Sequence, residues 1–294
     1  MILPIVRTRY RHSGSLSRLA ALVGLACTSW LAACGGSDPV TLDPGDPLDP
    51  LPPAQPVCTG SYCDSIAIAA RGLETAFYSK ILVTGGMPII SSSKVDDRAL
   101  EIAATVVDSM LALRPDVRTA MVALSARVGI MDIGELTTDI PEHAFLKNDI
   151  LIDWDARARG LGGTPEVPIT TVGEENLLCL DKDVYAGENI LIHEFAHAVL
   201  LMGIAFVDES FQGELETLFG LARSEGLWSG TYANTSPGEY WAEGVQSWFD
   251  SNQVPQPGIH NTVNTRAELL QADPRLYELI SRYMPPTDWR PTCP

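Results

Sequence analysis

The chain has 294 residues, with 20 Lys and Arg against 37 Asp and Glu, for a formal charge of −17. Such an acidic balance argues against nucleic acid as a partner, since phosphate contacts need basic side chains. With 46 % hydrophobic residues, the chain can bury a sizeable core rather than remain disordered.

Residues 1–33 read as an address. Arg7, Arg9, Arg11 and Arg18 form a basic leader without acidic residues, followed by an apolar run from Leu19 to Ala33 that is too short to span a bilayer. Its end, Leu31-Ala32-Ala33-Cys34-Gly35, resembles a bacterial lipobox, which would leave Cys34 as the lipid-modified first residue. An ordinary signal peptide ending in small residues is the alternative. The expectation is an exported bacterial lipoprotein of the outer membrane or cell surface, touching the membrane only through Cys34. Removal of this leader takes away four basic residues and no acidic one, leaving a charge of about −21. Residues 34–57, rich in Pro and Asp, have little to bury and read as a semi-rigid linker.

The folded part is expected over residues 58–294. Cys58, Cys63, Cys179 and Cys293 make an even set in an exported chain, so two disulfides are expected. Of three pairings, Cys58 with Cys63 and Cys179 with Cys293 is preferred. Asp64 to Lys80 is expected to be a helix, followed by a turn at Gly85-Gly86 and Pro88. Val95 to Leu113, stopped by Pro115, has strong helical periodicity. Thr119 to Met131 and Ile150 to Trp154 are expected as strands. His143, in a loop, reads as a structural histidine. Arg159 to Thr164 (RGLGGT) suggests flexible glycines ahead of an edge strand over Val167 to Val172. Such an edge strand offers unpaired backbone groups to an extended peptide.

The stretch Gly187 to Met202 (GENILIHEFAHAVLLM) carries the chemistry. Ile190, Leu191, Phe195, Ala198, Val199 and Met202 recur at helical spacing, so His193 and His197, four apart, project from one face. Two imidazoles so placed can hold one zinc ion, and Glu194 beside them can act as general base on a water. Burying these groups among apolar neighbours without a partner would cost several kcal/mol, roughly 2–7 for each polar group, and a metal is the simplest partner.

Glu209 to Arg223 reads as a further helix. Beyond it, Ser236-Pro237-Gly238-Glu239 matches a helix start with a Ser cap, Pro in first position and Glu in third. Glu239 is therefore either a capping-box carboxylate or the third metal ligand, with Glu243, one turn on, orienting an imidazole through its other nitrogen. Glu243 as the ligand is the lesser alternative.

HEFAH followed some forty residues later by a Tyr and then EYWAE resembles the gluzincin metallopeptidases, most closely the catalytic domain of anthrax lethal factor and the clostridial Pro-Pro endopeptidases. The resemblance covers Gly187 to Tyr283, where Ala267 to Tyr283 echoes the C-terminal helices. It implies an α+β fold with a small mixed sheet and a mostly helical C-terminal half. It also implies a metal site of His193, His197 and Glu239 with Zn2+ as cofactor, Glu194 as base, Glu243 behind the ligands, and Tyr232, seven residues before Glu239, as donor to the oxyanion. The implied activity is that of an endopeptidase on polypeptides. A noncatalytic zinc lipoprotein that binds a partner and a cell-wall amide hydrolase remain the alternatives.

Overall fold

The computed structural model describes residues 58–253, 255 and 257–292; the leader, Cys34, the linker and Cys293 lie outside the described residues. Among the described residues, the fold is α+β.

Asp64 caps α1 (Ser65–Ala69) by accepting the Ala67 N–H at 2.8 Å. The helix expected to reach Lys80 ends there, because Gly72 adopts φ +67° and turns the chain. Strands β1 (Lys80–Thr84) and β2 (Met87–Ser91) form an antiparallel hairpin. Gly85 and Gly86 close it at φ 52° and 86°, positive values that two-residue hairpin turns require.

Helix α2 (Asp97–Met110) follows, capped by Asp96, and then α3 (Pro115–Ala123). The expected strand over Thr119 to Met131 is thus half helix. Pro115 starts a helix at its first position as well as stopping the previous one, and Val117 and Met121, four apart, share its buried face. Only β3 (Arg127–Met131) is strand, after Ser125 reverses the chain at φ 61°. Ile150 to Trp154 is no strand either. Ile150 and Leu151 are exposed, and Asp149 and Asp153 accept the N–H groups of Leu151 and Ala156, bending the backbone into α4 (Trp154–Arg157).

Strands β4 (Gly160–Leu161) and β5 (Ile169–Gly173) complete a sheet in the order β1-β2-β3-β5-β4, with β2, β3 and β5 parallel to one another and β4 antiparallel to β5. The edge strand is therefore β4, not the Val167 to Val172 segment, because β5 pairs on both sides. Alternation along the strands serves two cores: Ile89, Val128 and Ile130 pack into the main one beneath α2, and Ile90, Met131 and Ile169 into a smaller one on the other face.

After β5 the described elements are helical. Short α5 (Glu174–Leu177) precedes α6 (Ile190–Ala198), which Asn189 caps. A wider π segment, Val199–Ile204, leads into α7 (Ala205–Val207), and then come α8 (Phe211–Ser224), α9 (Pro237–Trp248), α10 (Arg266–Ala272) and α11 (Pro274–Ser281). Helices α6 and α9 pack antiparallel, since Trp241 at the start of α9 donates its indole N–H to the Ala196 carbonyl at 2.9 Å while Asn189, before α6, donates to the Ser251 carbonyl, beyond α9, at 3.0 Å. Cys58 and Cys63 form a disulfide. Cys179 is also disulfide-bonded.

Candidate metal centre

The antiparallel packing of α6 on α9 sets the geometry of the site. His193 and His197 point from adjacent turns of α6 toward the first turn of α9. Their Nε2 atoms are 3.2 Å apart, and Glu239 Oε2 lies 3.1 Å from the first and 3.2 Å from the second. Two donors about 2.0–2.1 Å from a tetrahedral zinc stand about 3.3–3.4 Å apart, so this donor set fits such an ion. With these three as ligands, a fourth position would be open to a cleft of about 530 Å³.

Glu239 does not act as a reciprocal cap. Ser236 Oγ accepts the Glu239 N–H at 3.1 Å, while the Glu239 carboxylate takes both imidazoles and, through Oε1, the Tyr232 hydroxyl at 3.2 Å. Tyr232 sits in the turn Tyr232–Asn234, where its N–H donates to the Ile259 carbonyl and its ring stacks at 28° to His193. Glu194 lines the same cleft.

The electrostatics favour positive charge between the histidines. Burial alone would lower the His193 pKa, but its hydrogen bond to Glu239 and the charges of Glu194, Glu239 and Glu243 push it up to about 10. Burial likewise opposes ionisation of Glu239, and the two imidazoles overcome it to hold its carboxyl well below the usual range. Burial and the Glu239 charge raise the Tyr232 phenol well above its ordinary value, so it remains a donor at neutral pH.

Glu243 is placed differently from expectation. The group that accepts from His193 Nδ1 is Gln246 Oε1, at 2.8 Å, whereas Glu243 Oε1 is 3.8 Å away. Gln246 cannot present its amide the other way round, because its NH2 donates to Glu188 Oε2 at 3.1 Å and to the Asn189 carbonyl at 3.3 Å. With Nδ1 keeping its hydrogen, Nε2 is the nitrogen left to bind a metal. Glu243 does orient an imidazole, but it is that of His260, 3.2 Å away, and it also accepts from Asn252 at 2.9 Å. Gln246, Glu188 and His260 were invisible to sequence reasoning. The one available signal for Gln246 was its place seven residues after Glu239, two turns along the same face.

The glycines of RGLGGT serve close approach rather than flexibility. A Cβ on Gly162 would lie 2.7 Å from His197 Cβ and 3.1 Å from the Glu194 carbonyl oxygen, and one on Gly160 would lie 2.7 Å from Ile190 Cγ2. They let β4 and the residue after it run directly over α6. His143 lies in the turn Pro141–Asn148, is buried, and is not among the cleft residues; burial lowers its pKa to about 4, which keeps it neutral.

No family model matches this sequence, and no curated protein does. Among solved structures, the chain is similar to a Pro-Pro endopeptidase from Paenibacillus alvei over 64 % of this chain and 91 % of that one, at 17 % identity and a TM-score of 0.43.

Proposed function

We propose that this chain is a zinc-dependent endopeptidase. The observation that supports the reading above all is the convergence of His193 Nε2, His197 Nε2 and Glu239 Oε2, all within 4.8 Å of one another, on an open cleft that Glu194 also lines. A structural zinc site would be closed by a fourth protein ligand, and none joins this cluster among the described residues.

When bound, zinc supplies a Lewis acid that lowers the pKa of water to about 7. Glu194 accepts the proton from the attacking water and returns it to the leaving amine nitrogen. Tyr232, released from Glu239, donates its hydroxyl to the oxygen of the tetrahedral intermediate, a contact typically worth about 2.7–4 kcal/mol. The outer edge of β4 gives an extended peptide a place to pair along the cleft. For residues 1–57 the proposal is an exported lipoprotein held by lipid on Cys34, supported by the leader's composition alone.

The test is metal analysis together with digestion of a peptide library. His193→Ala and Glu239→Ala should lose most of the zinc, and Glu194→Gln should keep it while turnover falls by about 10²–10⁴-fold. Near-full zinc in both ligand variants, or full activity in Glu194→Gln, would overturn the reading.

A further inference from the structure

Arg157 is one of four arginines among the described residues that form no ion pair with another described residue, whereas the other eight of the twelve do, as expected in so acidic a chain. Its acidic neighbours are engaged elsewhere: Asp153 caps α4 through the Ala156 N–H, and Asp155 accepts both the N–H and the hydroxyl of Thr138. Arg157 is also the one Lys or Arg among the described residues lining the cleft, whose acidic lining residues are Glu188, Glu194, Glu239 and Glu243.

Its place is held from both sides. Trp154, three residues before it, donates its indole N–H to Asp149 at 2.9 Å. Arg159, two residues after it, grips Glu175 through Nε at 2.7 Å and Nη2 at 2.8 Å. The guanidinium is thus carried on a pinned segment into the rim of the cleft, within hydrogen-bonding reach of the Tyr232 hydroxyl.

We infer that Arg157 is a specificity-determining residue that binds a carboxylate of the peptide substrate, so that the cleft selects chains carrying an Asp or Glu side chain or a free C-terminus at one fixed distance from the scissile bond. This rests on the endopeptidase reading and refines it. The overall charge of the chain disfavours acidic substrates at long range, where salt screens it, but a guanidinium at contact presents two parallel N–H donors to a carboxylate. Glu194, which also lines the cleft, repels a carboxylate set beside it and so sharpens the choice.

The experiment uses the full-length, zinc-loaded protein and matched peptides that differ only in Asp for Asn, Glu for Gln or Lys for Gln at each position, with free or amidated C-termini. The expected result is an about 10-fold higher kcat/KM for the carboxylate peptide, carried by KM. That ratio should fall to near one in Arg157→Ala, persist in part in Arg157→Lys, and reverse toward Lys-bearing peptides in Arg157→Glu. A preference confined to free C-termini identifies the chain end as the carboxylate; one that follows Asp or Glu identifies a side chain. Cleavage with no charge preference, or a preference unchanged in Arg157→Ala, overturns the inference and leaves the peptidase reading standing. If no peptide is cut, the peptidase reading fails and the subsite is judged by binding of the same peptides, measured by calorimetry. Charge-selective binding that Arg157→Ala abolishes supports it, and unselective or absent binding overturns it.

Discussion

Replacing Gln246 by Leu is the sharpest probe of how the site is held. Gln246 is completely buried, and its side chain joins His193 Nδ1 at 2.8 Å to Glu188 and the Asn189 carbonyl. Leu fills most of the volume but leaves the imidazole N–H without an acceptor, and a buried unsatisfied donor costs about 1–3 kcal/mol. Part of that cost falls on the metal-free protein and part on the ring's freedom to turn its Nε2 away from the other donors. The second part should appear as an about 10–100-fold loss of zinc affinity, the range associated with groups that orient metal-binding imidazoles. Competition with a chromogenic chelator measures it, and urea unfolding of the metal-free protein measures the first part separately. Glu243→Gln is the control, because Glu243 bonds to His260 and Asn252 and stands 3.8 Å from His193 Nδ1. Should Gln246→Leu bind zinc within about twofold of the parent while Glu243→Gln loses it by the larger factor, the reasoning from hydrogen bonds is wrong.

Tyr232→Phe removes only the hydroxyl, so kcat should drop by about 10²–10³-fold with KM little changed, and a fall confined to KM in steady-state kinetics would argue against its role at the oxyanion. Gly162→Ala forces a Cβ to within 2.7 Å of His197 Cβ and 3.1 Å of backbone on α6, so thermal unfolding should show a loss of about 1–3 kcal/mol with weaker zinc binding; an unshifted midpoint would mean that β4 is free to lift. Glu174, whose pKa burial raises to about 7 despite hydrogen bonds from the Asp96 and Ile133 N–H groups, supplies a pH dependence. The unfolded carboxyl ionises near 4.5 and the folded one near 7, so below that window it costs nothing, and between the two values stability falls as pH rises. Glu174→Gln should therefore match the parent near pH 4 and exceed it at pH 8, by at most about 3 kcal/mol, whereas parallel denaturation curves at the two pH values would contradict the assignment. Cys34→Ser should abolish membrane fractionation of the exported protein, and retention in the membrane would show that the leader anchors it by another route.

What the sequence could settle was local. That His193 and His197 share a face follows from the 3.6-residue turn, and that Ser236 starts a helix follows from its cap and Pro237, with no reference to distant parts of the chain. Where local rules compete, the sequence misled: Pro115 both ends and begins a helix, the short apolar run Ile150 to Trp154 has no strand to pair with, and Gly72 cuts an otherwise plausible helix. Glu239, Glu243 and Gln246 lie along one face of α9, so each could in principle have met His193. Which one does depends on the axial offset between α6 and α9, and that offset is set by packing, through Trp241 on the Ala196 carbonyl and Asn189 on Ser251. A shift of one turn, about 5.4 Å, would have put Glu243 in the place of Gln246 without changing any local signal. The same holds for Gly160 and Gly162, whose lack of side chains matters only because tertiary structure brings β4 against the helix that carries the histidines.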